Sequence, residues 1–247
     1  MPSAPNDAIG PPGNRRAAHR WRDKTMRTFF LSLLLLTGAA AQAQTPPSSN
    51  QITSYEGLHK AAHEGDVDAI RTLVAAGADP DSRDGSGRTP AHIAAFASND
   101  DSLRALAAAG SDMNALENRE YDVLTIAAVA DDPEMVSLAL ELGNQPDLIT
   151  SPYDGTALIA AAHLGHVDVV HRLIAGGAPL DHVNNLGWTA LIEAVVLGDG
   201  GPNHIETVRA LVEAGADIFI GDKDGVTPLQ HAEARGYSEI AAIIRAM

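Results

Sequence analysis

The sequence contains no cysteine. That excludes a disulfide framework, a thiolate zinc site, a cysteine nucleophile and a lipid-modified cysteine at the amino terminus. Aromatic residues are scarce, at 4%. The core therefore has to come from small and aliphatic side chains at close range, as in closely stacked helices. Also missing are a glycine-rich phosphate loop, a His-Glu-x-x-His zinc helix and a Gly-x-Ser-x-Gly nucleophile turn. No constellation points to catalysis, and the chain is expected not to be an enzyme and to need no cofactor.

Positive charge is short as well, with 17 Lys/Arg against 32 Asp/Glu. Six of the basic residues lie in 1–43 beside Asp7 and Asp23, so the remainder carries 11 basic against 30 acidic residues. Such a surface repels phosphate backbones and anionic lipid head groups. Nucleic acid and membrane surfaces are poor candidate partners, no nucleic acid is expected to bind, and a protein with a basic surface is favoured.

The longest apolar run, Phe29 to Ala41, has 13 residues, whereas a spanning helix needs about 20. Arg27 precedes it, and Ala41-Gln42-Ala43 follows with the small-residue spacing of a signal cleavage site. Residues 1–43 read as an extension plus signal peptide, with Met26 an alternative start and cleavage between Ala43 and Gln44. No stable membrane anchor remains after removal, and the expected location is periplasmic or secreted. Residues 44–50 read as a short extended linker.

Residues 51–247 are organised by repetition. Glycines 77, 110, 143, 177 and 215 follow one another at 33, 33, 34 and 38 residues. Leu58-His59, Thr89-Pro90-Ala91-His92, Asp122-Val123-Leu124-Thr125, Thr156-Ala157-Leu158, Thr189-Ala190-Leu191 and Thr227-Pro228-Leu229 keep step with them. Threonine followed by proline is a helix start: the hydroxyl caps the first amides, and proline lacks the amide that would go unpaired. Val67/Ile70/Val74, Val167/Val170/Ile174 and Ile205/Val208/Val212 recur at i, i+3, i+7 and give each second helix one apolar face. Gly65, Gly165 and Gly236 are placed to end first helices, and the glycines at the repeat spacing to end second helices. A helix pair of this size cannot bury its apolar face alone, so the units must stack.

With Thr89-Pro90-Ala91-His92-Ile93-Ala94 and its partial copies, this stretch resembles the ankyrin-repeat family, in particular exported bacterial members. The resemblance implies an all-α solenoid of about six helix-turn-helix units with short hairpin connections, near 51–83, 84–116, 117–149, 150–183, 184–221 and 222–247. It also implies that His59 and His92 hydrogen-bond the neighbouring hairpin, and that a partner protein binds on a concave face. Candidate contacts on that face are Arg88, Phe96, Arg119, Tyr121, Tyr153, Leu164, Leu186, Trp188 and Leu197. The family further suggests a role accessory to catalase in peroxide defence. Inhibition of an exported toxin, or metal buffering by the acidic surface, are the alternatives.

Several features have structural explanations ready. His63 and His163 fall at the carboxyl ends of first helices, where a cation is favourable. Asp222-Lys223-Asp224-Gly225 has the look of a calcium loop, but Thr227 stands where that loop needs glycine. Asp100, Asp101, Asp131 and Asp132 are suited to starting second helices. Gly198-Asp199-Gly200-Gly201-Pro202-Asn203 lengthens the turn inside the fifth unit.

Overall fold

A computed structural model describes residues 44–247. The proposed cleavage residues Ala41 and Ala43 lie outside the described residues, and Gln44 is the first within them. Among these residues the secondary structure is helical apart from a single bridge between Thr150 and Gly155.

A short leading helix, α1 (Ser49–Ser54), precedes six helix pairs: α2 (Gly57–Glu64) with α3 (Val67–Ala75), α4 (Pro90–Phe96) with α5 (Asp100–Ala108), α6 (Val123–Val129) with α7 (Pro133–Glu141), α8 (Ala157–Leu164) with α9 (Val167–Ala175), α10 (Ala190–Val196) with α11 (Pro202–Glu213), and α12 (Pro228–Arg235) with α13 (Ser238–Arg245). The expected extended linker is thus shorter than 44–50. Ser48 starts α1, because its amide donates to Gln51 Oε1 at 2.9 Å and its hydroxyl accepts from the Gln51 amide at 3.3 Å.

The first helices begin as their sequences require. Thr156, Thr189 and Thr227 accept from the amide three residues on, at 3.4, 3.2 and 3.4 Å. Asp122 does the same in the third unit, at 2.8 Å. Gly65, Gly165 and Gly236 close α2, α8 and α12 in the left-handed conformation, with φ of 75°, 70° and 74°. Ser98 and Asp131 occupy the equivalent place at φ 49° and 56°.

Second helices differ in how they start. Asp66 and Asp132 cap α3 and α7 through the amides of Ala69 and Met135, each at 2.9 Å. In the second unit the capping residue is Asn99, and it makes no cap bond. Its side-chain amide instead reaches back to the carbonyls of Ala62 and His63, at 3.0 and 2.7 Å, tying the second repeat to the first.

Each first helix packs on the first helix of the next repeat, and most second helices do likewise; α5 and α7 approach each other least. The core is a continuous seam of Ala, Leu, Ile and Val, including Ile70, Ile93, Leu103, Leu124, Leu158, Val170, Leu191 and Val208. Alanines at 61, 62, 94, 95, 127, 128, 161, 162 and 194 are all buried, which allows adjacent helix backbones to approach.

Candidate protein-binding face

Four of the five hairpins between helix pairs start with a carboxylate or amide, and the one between the third and fourth pairs starts with Thr150. Asp84, Glu117, Asn184 and Asp222 each accept two main-chain amides of their own hairpin through one oxygen. For Asp222 these are Asp224 and Val226, at 3.0 and 2.9 Å, and its other oxygen lies 2.8 Å from His231 Nε2. The calcium-like acidic run is therefore a hairpin anchor.

Successive hairpins are joined by a ladder that runs along the solenoid. Asn118 donates its amide to Ser86, Ser151 to Glu120 and Asn185 to Tyr153, at 3.1, 2.8 and 2.9 Å. His59 Nε2 lies 3.0 Å from the Arg88 carbonyl, and His92 Nε2 lies 3.0 Å from that of Tyr121, so both motif histidines tie a helix to the next hairpin. His163 pairs with the buried Glu193 at 3.3 Å, and His166 Nδ1 lies 2.9 Å from the Ala128 carbonyl. Each member of the His163/His166 pair is thus engaged separately. Among the described residues no cluster of three metal-ligating side chains forms.

The nine candidate residues fall into two groups. In repeats two and three the side chains are largely taken up within the chain. Arg88 is only 5% exposed: it lies 3.6 Å from Asp84, 5.5 Å over the Phe96 ring, and donates to the Thr45 carbonyl at 2.7 Å. Tyr121 is also 5% exposed, and burial pushes its hydroxyl up to about 12. Phe96 is half-buried. Arg119 is exposed as a residue, but donates to Thr45 Oγ1 at 2.9 Å. Arg88 and Tyr121 therefore serve the interior, Arg88 through its contacts with Asp84, Phe96 and Thr45.

In repeats four and five the candidates stay accessible. Tyr153 and Leu186 hold equivalent hairpin places, and Leu164 and Leu197 hold equivalent places at the end of a first helix. Leu164 is 40% exposed; Tyr153, Leu186, Trp188 and Leu197 are partly exposed. Sequence reasoning missed Thr45 and Pro47, whose linker-like composition gave no sign that they contact the repeats. Another groove, of about 690 Å³ between α3 and α5, is lined by Val67, Ile70, Val74 and four alanines, with Arg71, Asp101 and Arg104 at its edges. It carries no nucleophile or acid-base pair.

A hairpin and two antiparallel helices, repeated and stacked with a histidine-to-hairpin bond, define a repeat solenoid built for surface contact rather than for enclosing a reactant. Family models for ankyrin repeats match residues 58–99, 86–118 and 124–222. The ankyrin repeat protein YahD of Escherichia coli (strain K12) is 35% identical over 186 residues, covering 74% of this chain and 92% of YahD. The chain belongs to the ankyrin-repeat family. A crystal structure of the ankyrin repeat domain ABAYE2397 from Acinetobacter baumannii AYE is 41% identical, with a TM-score of 0.72 over 76% of this chain and 96% of that one. A chain of the Bdellovibrio bacteriovorus endopeptidase Bd0816 in complex with the immunity protein Bd3460 shares the fold at 24% identity, with a TM-score of 0.64 over 78% of this chain and 98% of that one. Proteins of this kind are protein-binding scaffolds and typically not catalysts.

Proposed function

We propose that this is an exported scaffold that binds a basic protein surface through the hairpin-lined face of repeats four and five. The observation that carries the reading is the accessible set Tyr153, Leu164, Leu186, Trp188 and Leu197, in which Tyr153/Leu186 and Leu164/Leu197 repeat in register on adjacent units. Aromatic side chains such as Tyr153 and Trp188 supply large contact areas at modest entropic cost, and the surrounding acidic balance steers a basic partner. Trp188 is the centre of the set. Its amide and carbonyl are both fixed to Asn184, each at 3.0 Å, so the ring is presented from a rigid hairpin.

Trp188→Ala should weaken the partner by about 2 kcal/mol or more, while leaving the melting temperature little changed. A chain beginning at Gln44 has Trp188 as its sole tryptophan, so its emission reports this site alone. Solvent-exposed emission that shifts when partner is added supports the reading. Buried emission in the free protein, with Trp188→Ala lowering the melting temperature but not the affinity, makes it a packing residue. Capturing the partner decides between a catalase and a toxin. Export rests on the apolar run before Ala41-Gln42-Ala43, and mass spectrometry of the exported protein should find Gln44 first. Recovery of only the intact chain from the cytoplasm would overturn that part.

A further inference from the structure

We propose that repeats two and three form a cleft for an extended, proline-containing chain segment, and that Gln44–Pro47 is its built-in occupant, which an incoming partner segment must displace. This rests on the hairpin-lined face being the binding face, but it concerns the other half of that face. A cap for the open end of the solenoid would bond to the first repeat. Thr45 instead spans the second and third: Arg88 Nη2 donates to its carbonyl at 2.7 Å, and Arg119 Nη1 to its hydroxyl at 2.9 Å. Pro47 is buried, and so is the side-chain nitrogen of Gln44. Downstream, Gln51 donates to Ser86 Oγ at 3.2 Å and Tyr55 to Asp84 at 2.9 Å, so the segment is tethered to the second hairpin from one side.

The cleft suits a chain of this chemistry. Consecutive prolines lack amides and favour an extended backbone whose carbonyls point outward, which is what an arginine fork can read. Arg88 is held ready by Asp84 at 3.6 Å and by the Phe96 ring beneath it. Its Nη1 faces the Asp84 carboxylate, while its Nε is buried and makes no hydrogen bond, leaving one donor beyond the single carbonyl of Thr45. Such capacity fits a segment with more acceptors than this one offers. The bound arm is held by tethering: a short linker gives it a millimolar effective concentration, so even a weak contact stays closed against a dilute competitor.

The test uses the acetylated, amidated hexapeptide Gln-Thr-Pro-Pro-Ser-Ser, titrated by NMR into the full chain and into a Thr45→Gly/Pro47→Gly variant that loosens the arm. In the variant, saturable shifts are expected at the amides of Ser86, Gly87, Asn118 and Arg119. In the unaltered chain, binding at least about tenfold weaker is expected, because the arm competes. Equal binding to both, or no saturable shift in the variant, overturns the proposal. A second measurement does not depend on how the variant folds. Because the chain has no cysteine, Thr45→Cys accepts a single nitroxide, which should broaden the amides of Ser86 and Asn118. Undiminished signals there show that the arm is not seated and sink the idea. Neither readout involves Trp188, so failure here leaves the reading of repeats four and five standing, and failure there leaves this one.

Discussion

His92 shows how one side chain joins local and long-range structure. The Thr89 amide donates to Nδ1 at 3.1 Å, which leaves the ring proton on Nε2 to be given to the Tyr121 carbonyl at 3.0 Å. The neutral ring fits both partners, whereas a protonated one would turn Nδ1 from acceptor into donor against the Thr89 amide. Burial, the larger cause, pushes the pKa of His92 down to about 4. An unfolded histidine titrates near 6.5. Between these values the unfolded chain holds a proton that the folded chain refuses. Stability from this group is fully present above pH 6.5 and falls as pH is lowered toward 4, by up to about 1.4 kcal/mol per pH unit. Urea unfolding of the parent and of His92→Gln, at pH 7 and pH 4.5, checks this. The parent should lose about 2 to 3 kcal/mol more than the variant over that interval. Equal losses would mean that His92 titrates normally in the fold.

At the scale of elements, nearly all of the repeat architecture was legible in the sequence, because capping chemistry is local. Thr-Pro starts, glycine stops and a 33-residue step specify helices without knowledge of what packs on them. Even the third unit, with Asp122 for threonine, keeps a start residue of the right chemistry, and Thr125 in the histidine place finds Thr150 Oγ1 at 3.0 Å. The insertion in the fifth unit was visible, but its organisation was not. Of the insertion only Gly198–Gly201 lie in the loop, since Pro202 and Asn203 already belong to α11. Asp199 holds the Gly201 amide at 2.8 Å and His204 Nδ1 at 2.9 Å, His204 Nε2 lies 3.0 Å from the His163 carbonyl, and Tyr237 donates to Gly198 at 3.1 Å. The loop is clasped by the repeats on either side, through contacts 39 and 41 residues apart in sequence. The candidate face was legible only as a set of repeat positions. Column positions could be read, but whether a column residue is swallowed, as Arg88 and Tyr121 are, depends on distant partners such as Thr45.

For the whole molecule, stacking with nearest neighbours only makes stability a sum of repeat and junction terms, so the weakest junction decides where the solenoid divides. That junction lies between repeats two and three, where α5 and α7 approach each other least. It is bridged mainly by polar contacts: the exposed Arg104–Glu141 pair at 3.5 Å, Ser98 to Asp132 at 2.8 Å, the Asn144 side-chain amide to the Met113 carbonyl at 2.6 Å, the Gln145 amide to Asn114 at 2.8 Å, the hairpin ladder and His92, and Thr45 held from both sides. An exposed ion pair contributes little. The expected consequence is two blocks of partial independence: repeats one and two, and repeats three to six. Leu103 in α5 and Leu158 in α8 are both fully buried leucines, and truncating either to alanine costs about 2 to 5 kcal/mol. The cost should nonetheless be felt in different places. In native-state hydrogen exchange, Leu103→Ala should lower protection in α2 to α5 and leave α8 to α11 near their parent values, whereas Leu158→Ala should lower protection in α6 to α13. A uniform loss across all six repeats from either substitution would mean that the second junction is as tight as the others and that the solenoid opens as one unit.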